Sequence, residues 1–442
     1  MKIPSFPVIV RGASVVAVVL CAGRLGVAPP TDVLARSRQA SPPAATDAAL
    51  IERARAVLER VPLIDGHNDL PWALREKVKY DLTKLDVGES QPGLMTDIPR
   101  LRDGGLGGQF WSVYVPASLE GEAAVTATME QIDAVYLLAE KYADTFEIAG
   151  TVDDVERVFK AGKIASLAGV EGGHSIDSSL GTLRMMYRLG ARYMTLTHSS
   201  NTPWADSATD DPQHGGLTRF GEEVVREMNR LGMLVDLSHV SPDTMADALR
   251  VSEAPVIFSH SSARGLTDHP RNVPDDILRE LPKNDGVVMI TFVPGFVSPK
   301  GGAYYKAQQT ERDRLERLHP SDDDAQEAGL RAWRKAHPEP TATLADVANH
   351  IDHVHKIAGI DHIGIGSDFD GIDSTPEGLE DVSTYPALFA ELLSRGYSES
   401  DLEKIAGRNA LRVMRQVESV ATELQSTRAA SVATIEQLDG KQ

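Results

Sequence analysis

Short apolar runs alternate with amphipathic stretches along most of this chain. The runs cover residues 62–65, 108–115, 164–171, 193–198, 233–239, 255–260, 286–292 and 362–368. Each reads as a strand. Between them, residues 123–142, 180–189, 218–231, 241–251 and 344–358 carry apolar positions at helical spacing. Strands that alternate with helices imply right-handed crossovers and a parallel sheet. Eight such units predict a (β/α)8 TIM barrel, preceded by a helix at 47–60 that ends at Pro62. Residues 298–341 break the rhythm: they are charged, hold several prolines and include a helical stretch at 305–318. They read as an insertion between the seventh strand and its helix. It is either a lid over the site or a solvated excursion.

The polar residues add a second pattern. His67, Asp69, Glu171, His198, His239, His260 and Asp368 all fall at the C-terminal ends of the runs. In this barrel the active site forms on that face. Strand residues two apart point to the same side, so His67 and Asp69 are expected to converge there. Imidazole and carboxylate are the ligands that borderline and hard divalent metals take. Glu171 closes a buried-looking strand, where a carboxylate is costly unless paired or metal-bound. Its two oxygens can serve two ions, with His239 and His260 completing the second. Two metals about 3.5–4 Å apart hold one water between them and bring its pKa near neutrality.

Taken singly, any of these histidines is more often structural than a ligand. Five ligand-type residues at strand ends reverse that weighting. Asp368 is placed to pass a proton from the attacking water to a leaving amine; the plainer reading is a loop carboxylate capping amides, which suits Asp370 better. His198 suits a carbonyl or its developing oxyanion. Arg271, in a loop beyond the sixth strand, suits a substrate carboxylate or a surface ion pair. His174 reads as ordering its turn, and His350, His353 and His355 as helix-surface residues. His214, His269, His319 and His337 lie in loops. Trp72, Trp111 and Trp204 wall a pocket or fill the core. No H-E-x-x-H, G-x-S-x-G or P-loop occurs, which weakens serine-hydrolase and nucleotide chemistry.

Composition narrows the classes further. The chain has 442 residues, 42% of them hydrophobic, and a formal net charge of −19. Nucleic acid is not an expected partner, because phosphate contact needs clustered Lys and Arg. The one cysteine, Cys21, allows no intrachain disulfide and no cysteine-based metal knuckle. Residues 1–28 read as an export signal with Lys2 and Arg11 before an apolar stretch. Leu20 before Cys21 makes a poor lipoprotein attachment site. Residues 29–48 read as a Pro/Ala-rich linker, 49–420 as the catalytic domain and 421–442 as a C-terminal tail. No apolar C-terminal run and no N-x-[ST] sequon are seen, so neither a GPI anchor nor N-glycosylation is expected.

Seven segments together resemble the renal (membrane) dipeptidase family. They are IDGHNDLPW at 64–72, VEGGHSI at 170–176, LTHSSNTPWAD at 196–206, DLSH at 236–239, VIFSHSS at 256–262, RNVPD at 271–275 and GSDFDG at 366–371. The resemblance implies a barrel of the metal-dependent amidohydrolase type with two zinc ions. His67 and Asp69 would hold one ion, Glu171 would bridge, and His239 and His260 would hold the other. His198 and Arg271 would bind substrate and Asp368 would transfer the proton. It further implies hydrolysis of dipeptides by a metal-bridging hydroxide, tolerance of a C-terminal D-residue, β-lactam opening in some members, and a homodimer.

Mammalian members are disulfide-bonded and GPI-anchored. This chain departs from both features and resembles an exported bacterial relative in the periplasm or envelope. Its dimer would be non-covalent and its membrane contact only N-terminal. The rival readings are another binuclear amidohydrolase, acting on N-acyl amino acids or lactones, and a metal-free binding protein. The His-x-Asp opening and a Glu at the bridge disfavour the first; the intact ligand set disfavours the second.

Overall fold

The computed structural model describes residues 45–320 and 322–440. The expected export signal and the linker up to residue 44 lie outside the described residues. The first helix, Ala45–Leu58, begins inside the stretch expected as linker. From Ala44 onward the chain forms one unit.

Nine strands are described: β1 (Leu63–Asn68), β2 (Leu106–Tyr114), β3 (Phe146–Ile148), β4 (Ile164–Glu171), β5 (Ala191–Thr195), β6 (Leu234–Asp236), β7 (Ile257–Ser261), β8 (Val287–Ile290) and β9 (Ile363–Ile365). Eight of them close a ring in the order β1-β2-β4-β5-β6-β7-β8-β9, with every pairing parallel. The (β/α)8 barrel expected from the alternation is therefore the fold. The strand the pattern does not show is β3. It pairs only with Ile164–Ser166, ahead of the stretch of β4 that pairs with β5. Three residues carry no readable periodicity.

The strands β1, β4, β6, β7, β8 and β9 are buried at every position. A parallel sheet wrapped in helices has no wet face, so its strands read as continuous apolar runs. The helices are amphipathic for the complementary reason. In the helix Arg219–Leu231, Phe220, Val224, Val225, Met228 and Leu231 are buried on the inner side. Each such side chain contributes about 1.5–3 kcal/mol by leaving water. Thr218 starts this helix by accepting from the Gly221 amide, and Gly232 ends it at φ 87°. The last long helix, Asn409–Thr427, runs through the boundary suggested at 420. The segment after it folds back: Glu227 accepts from the Ser431 amide at 3.2 Å, and Asp439 accepts from the Phe220 amide at 3.2 Å.

Residues 298–341 are not an irregular loop. They form a hairpin of helices Pro299–Leu318 and Asp323–Ala336, preceded by the turn Pro294–Val297. Leu315 and Leu330 are buried, and Tyr304 meets Trp333 at 5.3 Å. Phe296, at its root, lines the cavity described below.

His350 corrects the helix-surface reading. It is fully buried; its Nδ1 accepts from the Ala263 amide at 3.0 Å and its Nε2 donates to the Val297 carbonyl at 3.0 Å. The apolar pattern of its helix leaves a histidine there indistinguishable from a solvent-facing one. His353 is half-buried and pairs with Asp275 at 2.8 Å. Trp111 and Trp204 are core residues at 0% exposure, whereas Trp72 lines the cavity.

Candidate active site

All seven strand-end residues meet at the C-terminal mouth of the barrel. Glu171 is at their centre. Its Oε1 lies 3.0 Å from His239 Nε2, 3.4 Å from His260 Nε2 and 3.8 Å from His198 Nε2. Its Oε2 lies 3.5 Å from His67 Nε2. His67 Nε2 is also 3.3 Å from Asp69 Oδ2 and 4.0 Å from Asp368 Oδ1. Three overlapping ligand sets result: His67–Glu171–His260, Glu171–His198–His239 and His67–Asp69–Asp368. The two Glu171 oxygens thus face different partners, the arrangement a bridging carboxylate needs. His198 stands as part of one set, so its position suits a ligand as well as the substrate contact suggested by resemblance.

The convergence of His67 and Asp69 has a different cause from the expected one. The pairing of β1 slips between Asp65 and Asn68, and Asp69 starts the helix Leu70–Val78. A turn, not strand alternation, brings the two together. His239 and Asp368 also lie past their strands, both left-handed at φ 68° and 70°. Such non-glycine conformations cost about 1–3 kcal/mol each and persist where surroundings enforce them. Gly371 leaves room for two of the carboxylates: a Cβ there would come within 2.8 Å of Asp368 Oδ1 and closer still to Asp69 Oδ2.

A layer of hydrogen bonds aims the imidazoles. The Tyr193 hydroxyl donates to the Gly66 carbonyl at 3.2 Å and lies 2.8 Å from His67 Nδ1. Ser259 Oγ lies 2.8 Å from His260 Nδ1 and donates to Asp236 at 2.6 Å. Asp236 also accepts from Thr195 Oγ1 at 2.5 Å. Partners on Nδ1 leave Nε2 facing the cluster, the arrangement that orients histidine for a metal. Asp65 holds β9 in register by accepting from Ser367 Oγ at 2.5 Å and from the Tyr385 hydroxyl at 2.7 Å. Tyr193, Ser259 and Asp65 were not singled out from the sequence. For Asp65 and Ser259 the residues beside each histidine, as in Phe258-Ser259-His260, were the available signal; Tyr193, 126 residues from His67, carried none.

Charge follows burial. Burial raises Glu171, but His67, His198 and His239 hold it well below the usual carboxylate range. Burial, aided by Arg271, pushes His239 well down; burial, His67 and Arg271 do the same to His260. Both are therefore neutral imidazoles. Burial works to lower His67, yet Tyr193, Glu171 and Asp69 raise it well above its usual value. Burial pushes Asp368 well up, with Asp69 and Glu171 adding to the rise against His67 and Arg271.

The side chains fit a divalent metal centre. His67 Nε2 is buried without a hydrogen-bond partner, and His239 and His260 Nε2 stand 2.9 Å apart. Three carboxylates, Asp69, Glu171 and Asp368, share this space with the imidazoles of His67, His198, His239 and His260. A cation held by these residues would relieve that crowding, with His67 serving as a ligand in its neutral form.

The cluster floors a cavity of about 380 Å³. Trp72, Glu76, Tyr114, Phe296, Asp370 and Asp373 wall it, and Arg271 enters from the side of β7. Arg271 is only 4% exposed. Its Nη2 donates to the His260 carbonyl at 3.4 Å, while Nη1 has no partner. Burial pulls this guanidinium down to about 10, still charged at neutral pH.

A closed (β/α)8 barrel with imidazoles and carboxylates gathered at its strand ends defines a metal-dependent hydrolase of the amidohydrolase type. The chain belongs to the membrane dipeptidase family, peptidase family M19, whose model matches residues 51–428. It is 42% identical over 388 residues to dipeptidase verJ of Clonostachys rogersoniana, covering 85% of this chain and 89% of that one. It is 45% identical over 383 residues to an uncharacterized dipeptidase of Schizosaccharomyces pombe, covering 83% and 84%. Among solved structures it is similar to the probable dipeptidase PvdM from Pseudomonas aeruginosa. That match has TM-score 0.75 and 25% identity and covers 85% of this chain and 100% of that one. The protein is thus a membrane dipeptidase-like metallopeptidase.

Proposed function

We propose that this chain is a two-zinc dipeptidase that grips the free carboxylate of its substrate with Arg271. The observation that carries the reading is Arg271 itself: a buried guanidinium with an unpaired Nη1, lining the cavity that holds the ligand cluster. A buried cation without an ion-pair partner among the described residues is costly, and a bidentate carboxylate is its natural complement. Arg271, Glu171 and Asp368 line the same cavity of about 380 Å³, which supports a substrate held by its carboxylate at one end and attacked at the other.

His67, Asp69, Glu171, His239 and His260 would hold the ions, with imidazole and carboxylate donors that suit zinc. When bound, the ions supply Lewis-acid polarisation and a water acidic enough to attack at neutral pH. Asp368 accepts the proton of the attacking water and returns it to the leaving amine. His198, at the cavity wall, donates to the developing oxyanion. The resemblance to the family makes dipeptides with a C-terminal D-residue and carbapenem-type β-lactams candidate substrates. Export to the cell envelope and a non-covalent homodimer complete the proposal.

The test is amine release from a panel of L-L, L-D and D-L dipeptides and matched tripeptides, with and without chelator. Chelator-sensitive cleavage of dipeptides alone supports the reading. No cleavage by protein holding two zinc ions sinks it and moves the search to N-acyl amino acids and lactones.

A further inference from the structure

The loop that presents Arg271 is tied to the helical insertion through a histidine outside the catalytic cavity. His269 is 3% exposed. Its ring makes tilted contacts with Phe296, at 4.3 Å between centroids, and with Tyr305, at 4.1 Å. Phe296 belongs to the root of the insertion, and Tyr305 to its first long helix. The Arg271 guanidinium sits over the same Phe296 ring at 5.3 Å. His269 Nδ1 also accepts from the Arg271 backbone amide at 3.2 Å. Asn272 fixes the backbones on either side, donating to Thr267 O at 2.9 Å and Phe296 O at 2.8 Å.

The guanidinium itself has little else to orient it. Among the described residues its side chain makes one long hydrogen bond, at 3.4 Å, and one ring contact. A planar fork binds a carboxylate bidentately only when its plane is set. Aromatic rings in tilted contact hold one another at defined angles. Burial, with Arg271 and Arg264, pushes His269 down to about 3, so the ring is neutral and its Nδ1 is an acceptor.

We infer that His269 and Tyr305 are positioning residues. The stack Tyr305–His269–Phe296 sets the plane of the Arg271 guanidinium, and with it the affinity for the carboxylate end of the substrate. The insertion then acts on substrate grip rather than on the chemical step. This rests on the reading of Arg271 as the carboxylate contact.

The experiment measures kcat and KM for L-Ala-L-Ala and for its C-terminal amide, together with zinc content. It compares wild type, Tyr305→Leu, Tyr305→Phe, His269→Leu and Arg271→Met. Tyr305→Leu and His269→Leu are expected to raise KM for the free dipeptide roughly five- to twentyfold, with kcat within about twofold. KM for the amide and zinc content stay at wild-type values, and Tyr305→Phe, which keeps the ring, restores KM. Unchanged KM in both Leu variants overturns the inference. So does a joint loss of kcat and zinc, which marks a merely structural role. Should His269→Leu not fold, Tyr305→Leu decides alone, because Tyr305 is only partly buried. If Arg271→Met raises KM and Tyr305→Leu does not, the positioning role alone falls. If Arg271→Met leaves KM unchanged, the carboxylate reading falls first and takes this inference with it.

Discussion

His350 makes stability depend on pH in a way that separates its burial from a surface position. Burial pushes its imidazole down from 6.5 to about 4, with His353 adding to the fall and the Val297 carbonyl opposing it. The native form is therefore the neutral one, accepting from Ala263 and donating to Val297. Above pH 6.5 both folded and unfolded chains carry a neutral imidazole. Between pH 6.5 and 4 the unfolded chain takes up a proton that the folded one refuses. Stability thus falls as pH falls, and the loss is complete once the folded chain titrates as well. The gap amounts to about 3 kcal/mol over the whole window, about 2 kcal/mol of it between pH 7 and pH 5.

His350→Gln keeps a donor and an acceptor and cannot titrate. Urea unfolding of metal-free wild type and variant at pH 7 and pH 5 isolates the effect, because every other histidine titrates in both proteins. Wild type should lose about 2 kcal/mol more than the variant on acidification. Parallel losses in the two proteins would refute the reasoning and return His350 to the helix surface.

Three further outcomes follow from the site. Asp368→Asn should lower kcat at least about 10²-fold with metal content unchanged, read by amine release beside metal analysis; turnover near wild type removes Asp368 from proton transfer. Ser259→Ala cuts the link between His260 and Asp236, and competition with a chelator should show metal affinity reduced about 10- to 100-fold. Removing metal from wild type should lower its thermal midpoint, since ions that bind only the folded state stabilise it by mass action. An unchanged midpoint would show that the cluster binds no metal tightly.

Much of the architecture was legible because the barrel writes itself into sequence twice. Its strands are wrapped on both sides, so they appear as short apolar runs, and its chemistry is confined to one end of each run. His67, Glu171, His198, His239, His260 and Asp368 could be collected on that rule before any contact was known. What escaped was set by neighbours distant in sequence. The three residues of β3 show no period and become a strand only against Ile164–Ser166. His350 looks like its helical neighbours until residues 53 and 87 positions away supply its partners. His269 looks like a loop residue until Phe296 and Tyr305 contact its ring.

The sequence by itself determined the strand-helix alternation, the ligand types and the face on which they gather. These follow from local periodicity and from which side chains can bear burial. Only the tertiary structure decided that a turn unites His67 with Asp69, that Glu171 turns its two oxygens to different partners, and that Arg271 is buried with a free Nη1. Those are distances and orientations between strand ends. They depend on how the ring closes, and no stretch of chain encodes them until the other strands are in place.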